Sequence, residues 1–344
     1  MERMTQQAPC HLCVTHSPLV TQIFEGVMRQ LAIPADDVRA IARRAAPFAG
    51  SGMHLDDLSD EMELHFRKCD RRGYQAACGR LDAVLRSLTG GRPFEAYIPH
   101  ANKILYQEII SHPQCSGYSF IEEGFTSMAW SARRNARFTP SKVLRSYLRA
   151  WWIQPRYQFK RPMFVHSLPH FRAAYAVSCQ AFLGMPGRRD VSASLSPLPE
   201  GSPPGKTYLI LDACYLHAGI RWEDYENALV ASVNGQADPS CELLVKFHFA
   251  DADSAVRFES IRQRLADGGG LRMSLLGADF PVEKNLTQQD MLIFALTSLG
   301  YYAALTGARV SCFAGDINGV SIPAWIRDGR LPEDFPKVVG IRNA

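Results

Sequence analysis

The 344-residue sequence predicts an α/β protein built from two units, each with a largely parallel sheet. Short apolar runs alternate with amphipathic segments along the first part of the chain. A stretch with five prolines and four glycines, at 184–206, interrupts this alternation, which then starts again. Strands that alternate with helices favour parallel sheets, because parallel neighbours need long crossover connections. The length also suits two domains.

The first unit is predicted to cover 1–190, and it opens as strand, turn and helix. A linker at 191–205 follows, the second unit covers 206–315, and a segment at 316–344 is expected to pack across both. Strands are predicted in the first unit near 11–14, 95–99 and 118–121, with helices near 19–31, 75–88 and 140–151. In the second unit the strands are predicted near 207–212, 242–248, 271–276 and 308–313, with helices near 222–233, 254–266 and 289–306.

The composition excludes several classes of protein. With 47% hydrophobic and 21% charged residues, the chain is not disordered. Its nine cysteines are odd in number and scattered, unlike the disulfide framework of a small secreted domain. The start does not resemble a signal peptide, and threonine, serine and glycine dilute the apolar run at 291–308, which predicts a buried helix rather than a membrane span. We expect a cytoplasmic protein with reduced thiols.

Two polar clusters lie at the ends of predicted strands, at the edge where parallel sheets bind ligands. Glu122, Glu123 and Gly124 close the run at 118–121, and one of two adjacent carboxylates can keep a raised pKa that suits a general base. Lys246 and His248 lie two apart in the run at 242–248 and so share one face of the strand. A cation beside an imidazole can bind a phosphate and donate a proton to it. The alternatives are a surface turn and a structural histidine.

Thr297 and Ser298 form a third candidate, inside the apolar run. Their hydroxyls can bind a phosphate only if a helix begins near them or the backbone opens there. The alternative is ordinary helix content, with the hydroxyls bonded back to backbone carbonyls.

Taken together, these three motifs resemble those of the bacterial GT-B sialyltransferases, the group of lipooligosaccharide sialyltransferases and capsule polysialyltransferases. That group carries an acidic pair with glycine in one lobe, then Lys-x-His-Pro and a Ser/Thr pair in the other. The opening segment 13–19 is also similar to the start of the lipooligosaccharide enzymes. Phe249 stands here where the family has proline, and the literal pair His112-Pro113 lies ahead of the acidic pair.

The resemblance implies a GT-B fold, two Rossmann-like lobes with an interlobe cleft, and an inverting transfer of sialic acid from CMP-sialic acid to a glycan hydroxyl. Glu123 would be the general base, and Glu122 would shape the site or the pKa of that base. His248 would act as the acid on the departing phosphate. No metal or other cofactor is expected, and the glycan acceptor can be lipid-linked.

The resemblance also implies the residues that bind the CMP-sugar donor. Lys246 would offset the phosphate charge, and Thr297 and Ser298 would hold the same phosphate from a helix start. Gly124 joins this set, and Glu283 would contact the cytidine ribose.

Two sequence motifs resemble metal-binding sites. Asp251-Ala252-Asp253 resembles the Asp-x-Asp motif of metal-dependent glycosyltransferases, but it directly precedes a predicted helix, where acidic residues favour the amide-rich end. Cys10 and Cys13, with His11 and His16 nearby, suggest zinc, yet Cys13 belongs to a buried strand and no second Cys-x-x-Cys exists. The sequence therefore favours helix capping over a metal at the first motif and packing over zinc at the second.

Charge is distributed unevenly along the chain. Residues 124–189 contain twelve Lys or Arg and no Asp or Glu, so this segment carries +12 while the remaining 278 residues carry −8. Aromatic residues are interleaved with these cations, above all within the basic segment 133–161. Such a pattern suits an anionic membrane surface or an anionic glycan, and no nucleic-acid motif accompanies it. The alternative is a solvated basic helix with buried tryptophans.

Two other functions stay open. One is the transfer of another CMP-activated acid sugar, such as Kdo, by the same acid and base. The other is a non-catalytic relative that binds membrane or polysaccharide.

Overall fold

The computed structural model describes residues 8–15, 17–42, 52–128, 140–157, 166–201, 205–212, 214–217, 219–238, 241–248, 251–266, 271–277 and 280–341. The chain forms two compact units, Met1–Leu195 and Ser196–Ala344. Each contains a parallel sheet with helical crossovers, so the prediction of two Rossmann-like α/β units is confirmed. The division between them falls inside 191–205. The other predicted boundaries, the cleft and the packing of 316–344 across the lobes stay predictions.

The first unit contains a seven-stranded parallel sheet among its described residues, in the order β3-β2-β1-β4-β5-β6-β7. Its strands are β1 (Cys10–Thr15), β2 (Val38–Ala42), β3 (Gly52–His54), β4 (Phe94–Ile98), β5 (Cys115–Ile121), β6 (Phe171–Ala176) and β7 (Arg188–Asp190). The chain first moves outward from β1 to β3, then returns to place β4 beside β1 and continues the other way. Ligands in such sheets bind where the direction reverses, at the carboxyl ends of the strands.

The described part of the first unit contains five α-helices. They are α1 (Pro18–Leu31), α2 (Asp56–Lys68), α3 (Arg71–Thr89), α4 (Ile104–Ile110) and α5 (Pro140–Ile153). Ser17 caps α1 by accepting a hydrogen bond from the Val20 amide, and Pro18 fits the first turn because its missing N–H has no partner there anyway. Apolar residues then bury one face of α1, including Ile23 and Val27.

The described residues of the second unit form a five-stranded parallel sheet with the same pattern of strand connections, in the order β10-β9-β8-β11-β12. Its strands are β8 (Thr207–Leu211), β9 (Leu243–Phe247), β10 (Met273–Leu275), β11 (Met291–Phe294) and β12 (Arg309–Cys312). Its helices are α6 (Cys214–His217), α7 (Trp222–Gln236), α8 (Ser254–Ala266), α9 (Val282–Asn285), α10 (Ser298–Leu305), α11 (Ile322–Arg327) and α12 (Phe335–Val338). The reversal point lies between β8 and β11. Tyr301 of α10 donates a hydrogen bond to Asp334 and stacks on Phe335, which attaches the C-terminal segment to this unit.

Two predicted elements are wrong in part. The predicted helix at 289–306 is a strand at β11, then a turn, then α10. β11 lies between β8 and β12, and a strand inside a parallel sheet is apolar on both faces, so its sequence resembles a buried helix. The stretch 184–206, interpreted as linker or long loop, contains β7, which pairs with β6 at the sheet edge.

No helix in the described part of the chain combines the length and apolar character needed to cross a membrane.

Candidate functional site

A glutamate and a histidine meet at the carboxyl edge of the first sheet. β4 and β5 are parallel neighbours, with Ile98 beside Phe120, so the segments that follow them leave the sheet at the same edge. His100 follows β4 and Glu123 follows β5, and the His100 Nε2 atom lies 3.5 Å from a Glu123 carboxylate oxygen. His100 is buried, and its ring lies 5.1 Å from that of Tyr106. Glu123 keeps 15% of its side chain exposed, whereas Glu122 beside it is fully buried.

The turn after β5 fixes the direction of the Glu123 side chain. The Glu123 amide donates a hydrogen bond to the Ser127 hydroxyl at 2.8 Å. Gly124 has a φ of 63°, in the left-handed region that glycine adopts without strain, and it begins a short 3₁₀ helix, Gly124–Ser127. Gly124 therefore shapes the turn that carries Glu123, and its predicted role in donor binding stays a prediction.

Glu122 has a different environment from its neighbour. Its side chain is fully buried, and one carboxylate oxygen accepts hydrogen bonds from the amides of Val177 at 2.6 Å and Ser178 at 3.0 Å. These amides belong to the segment after β6, the next strand in the sheet. Glu122 thus joins the ends of β5 and β6. A role in shaping the site, as predicted, is compatible with this position, and contact with a substrate is not.

The corresponding edge of the second sheet is organised around Asp212, which follows β8. Its two carboxylate oxygens accept hydrogen bonds from the amides of Cys214 at 2.8 Å and Leu296 at 2.6 Å. Asp212 therefore joins the segments after β8 and β11, across the reversal point of the sheet. Burial raises the pKa of Asp212, and the hydrogen bonds and the positive charge of a protonated His248 oppose that shift.

Lys246 and His248 alternate with buried neighbours as predicted. Both are half-buried, while Val245 and Phe247 are buried. The Lys246 ammonium donates a hydrogen bond to the Phe280 carbonyl, in the segment before α9, so it contacts the protein backbone. Phe249, which replaces the family's proline, lies outside the described residues.

Thr297 and Ser298 stand where a helix begins, which is the condition their phosphate role requires. Thr297 is the N-cap of α10, and its hydroxyl accepts a hydrogen bond from the Leu299 amide at 3.2 Å. Ser298 is the first residue of the helix, whose N-terminal amides favour an anion. Glu283 lies in α9, after β10, and its contact with the cytidine ribose stays a prediction.

The Asp251-Ala252-Asp253 motif ahead of α8 forms hydrogen bonds that stabilise its own loop and an ion pair with an arginine. Asp251 is buried, accepts hydrogen bonds from the Tyr215 hydroxyl at 2.5 Å and the Asp253 amide at 3.0 Å, and lies 3.3 Å from the Arg257 guanidinium. Arg257 in turn lies over the rings of Tyr215 and Trp222. Among the described residues no group of three His, Cys, Asp or Glu is placed to hold a metal ion.

The zinc pattern at the start of the chain is accounted for by packing. Cys10 and Cys13 are buried in β1, and His11 hydrogen-bonds to the Tyr97 hydroxyl at 3.0 Å. His16 lies outside the described residues.

Two residues at the carboxyl edges of the sheets, His100 and Asp212, were not predicted from the sequence. His100 follows the predicted strand near 95–99, as Glu122 and Glu123 follow the one near 118–121. Asp212 is the last residue of the predicted strand near 207–212, as His248 is of the one near 242–248. The same rule, polar residues at the end of a strand of a parallel sheet, identifies both.

Comparisons with known proteins show a likeness of fold. No family model and no curated protein matches the chain. The GT-B domain of a sialyltransferase from Photobacterium damselae is 11% identical, with 97% of both chains covered and a TM-score of 0.44. E. coli ADP-heptose LPS heptosyltransferase II is 11% identical, with 88% of this chain and 84% of that chain covered and a TM-score of 0.40.

A putative UDP-N-acetylglucosamine 2-epimerase from Listeria monocytogenes is 10% identical, with 88% of this chain and 79% of that chain covered and a TM-score of 0.43. The similar structures thus include an epimerase as well as two transferases. At these identities and TM-scores, the likenesses carry no argument about the reaction or the substrate of this chain.

Proposed function

We propose that the chain is a glycosyltransferase that moves sialic acid from CMP-sialic acid to a hydroxyl of a surface glycan, such as lipooligosaccharide or capsule. The observation that carries the proposal is the contact of 3.5 Å between Glu123 and His100 at the carboxyl edge of a parallel sheet. A partly exposed carboxylate beside a buried imidazole can accept a proton from a hydroxyl, which is what an acceptor must lose to attack a sugar. The motif resemblance supplies the donor.

In the proposed reaction Glu123 takes the proton of the acceptor hydroxyl while the acceptor oxygen forms a bond to the anomeric carbon. The bond from that carbon to the CMP phosphate breaks on the opposite side, so the configuration inverts. His100 is a positioning residue, since its ring nitrogen can donate a hydrogen bond that orients the carboxylate. Each acid or base partner is worth about 10²–10⁴ in rate.

In the second unit the start of α10 provides amides for the phosphate of CMP. Thr297 and Ser298 hold that phosphate, His248 donates a proton to it as it departs, and Lys246 adds a positive charge. Glu283 binds the cytidine ribose. The reaction needs no metal, because these groups offset the charge of the leaving phosphate.

CMP release from CMP-sialic acid and from CMP-Kdo, in the presence of EDTA, tests the proposal. We expect EDTA-resistant release from CMP-sialic acid, and a loss of about 10²-fold or more in Glu123→Gln and in His248→Ala. Glu333→Gln and His170→Ala change exposed residues and serve as matched controls with full activity.

The other outcomes separate the alternatives. Release from CMP-Kdo alone keeps the acid and base but changes the donor. If the protein neither releases nor binds CMP, the transferase proposal fails, and the non-catalytic alternative takes its place.

A further inference from the structure

Helix α5 exposes a row of large apolar side chains. Tyr147 and Leu148 each lie three or four residues from both Leu144 and Trp151, which places the four side chains on one face of the helix. Each of them, and Trp152 beside them, is 53–68% exposed. Isolated exposed apolar residues are common on soluble proteins, but a continuous row marks an interaction surface.

The inner side of the same helix is anchored in the first unit. Ala150 and Ile153 are buried, as is Tyr157 just beyond the helix. The Trp152 indole donates a hydrogen bond to the Cys69 carbonyl at 3.1 Å. Arg156 forms an ion pair with Asp82, and its amide donates a hydrogen bond to the buried Glu108. The exposed row is therefore held in place on a helix that is fixed at its C-terminal end.

Two arginines accompany the apolar row. Arg145 is exposed and Arg149 is half-buried, and neither forms an ion pair with an acidic residue in the part of the chain that the structure describes. Together with Leu144, Leu148, Trp152 and Cys69 they line an open, mainly apolar groove of about 460 Å³. The flanking residues 129–139 and 158–165 lie outside the described residues, but the sequence from 124 to 189 contains no Asp or Glu.

We propose that this face of α5 binds the surface of an anionic phospholipid bilayer. The side chains of Tyr147, Leu148 and Trp151 would enter the boundary between headgroups and acyl chains, where amphipathic aromatic rings are favoured. Arg145 and Arg149 would bind lipid phosphates, which match the planar guanidinium. We choose an anionic membrane as the partner because of charge complementarity. Arg145 and Arg149 form no ion pair with a described acidic residue, so this surface favours the closely spaced phosphates of a bilayer. The proposal is independent of the proposed transferase activity.

Sedimentation of the full chain with vesicles tests the proposal. We expect binding to phosphatidylcholine vesicles that contain about a third phosphatidylglycerol, and little to pure phosphatidylcholine. Since each basic residue near such a surface is worth about fivefold in affinity, Arg145→Glu with Arg149→Glu should weaken binding by at least about 25-fold. Leu148→Ser with Trp151→Ser should weaken binding as well, and it should reduce the quenching of tryptophan fluorescence by brominated lipid.

Matched variants on other surfaces control for charge and hydrophobicity. Arg327→Glu with Lys337→Glu makes the same charge change on exposed residues of the second unit, and Leu183→Ser with Val256→Ser removes two exposed apolar side chains. Both should bind like the unaltered protein.

Three results would overturn the proposal. One is failure of the unaltered protein to sediment with the anionic vesicles at low salt, and another is equal loss in the control and α5 variants. The third is a dimer in solution that dissociates in Leu148→Ser with Trp151→Ser while vesicle binding is absent, because a second copy would then cover the face.

Discussion

Glu122 and Glu123 are adjacent in sequence, yet their carboxylates have different partners. Successive residues around the end of a strand point in different directions, so one carboxylate turns into the protein and the other toward the sheet edge. The Glu122 carboxylate accepts two backbone amides in the buried segment after β6. The Glu123 carboxylate contacts His100 and remains partly exposed. Substitutions at the two positions should therefore change different properties.

At Glu122 we expect a loss of stability. Glu122→Ala leaves the amides of Val177 and Ser178 buried without an acceptor, which costs about 1–3 kcal/mol for each group. Glu122→Gln keeps an oxygen that both amides can reach, so its effect should be much smaller. Urea unfolding measures both values. Equal losses in the two variants would show that the negative charge, rather than the acceptor, holds the segment.

At His100 we expect a loss of turnover without a loss of folding. His100→Leu removes the group that orients Glu123 and should lower CMP release by about tenfold or more, with an unchanged circular dichroism spectrum. His100→Gln, whose amide can donate a hydrogen bond to the carboxylate, should restore part of the rate. A packing role alone predicts the opposite order, because leucine fills the apolar contact with Tyr106 better than glutamine does.

At the level of elements, sequence periodicity predicted α8 at its observed bounds, Ser254–Ala266. It failed at 291–308 because a strand buried on both faces has no alternation to detect. The contact between His100 and Glu123 could not be predicted from the sequence either, because it depends on β4 and β5 being neighbours in the sheet. The cap at Thr297 could have been recognised, because threonine ahead of an apolar run is a common helix start.

Gly300 allows α10 to pack closely on β11. A Cβ atom at this position would lie 2.3 Å from the Phe294 ring, too close for any side chain unless the ring moves. We expect Gly300→Ala to destabilise the protein by about 1–3 kcal/mol. Gly235→Ala, in α7 with open space around it, should be neutral or slightly stabilising, since alanine is the better helix former. Thermal unfolding compares them, and equal shifts in the two variants would contradict the close contact.

At the scale of the whole molecule we predict that His112 contributes a loss of stability as the pH falls below about 6.5. Burial, and to a lesser degree the charge of Arg156, lowers the pKa of His112 below 6.5. Its Nδ1 atom accepts a hydrogen bond from the Gln114 amide at 3.1 Å, which requires the neutral ring. The unfolded chain takes up a proton near pH 6.5 while the folded protein does not, so acidification favours unfolding.

The matching variant is His112→Gln, which removes this titrating group. Urea unfolding at about pH 7.5 and about pH 5.5 should show a smaller decrease in the free energy of unfolding for the variant than for the unaltered protein. An equal decrease in both would assign the pH dependence to other groups.

In both sheets the strand order has a consequence for the sequence of events in folding. The strands on either side of each reversal point pair residues 84 positions apart, Cys10 with Phe94 in the first sheet and Thr207 with Met291 in the second. Closing so long a loop is slow compared with pairing β1 to β2 or β8 to β9, which are nearer in sequence. The junction at each reversal point, where the proposed binding sites lie, is therefore among the last parts of its unit to assemble. After dilution from denaturant, CMP binding should recover later than the bulk of the secondary structure. A partly folded chain should therefore not bind its proposed substrates.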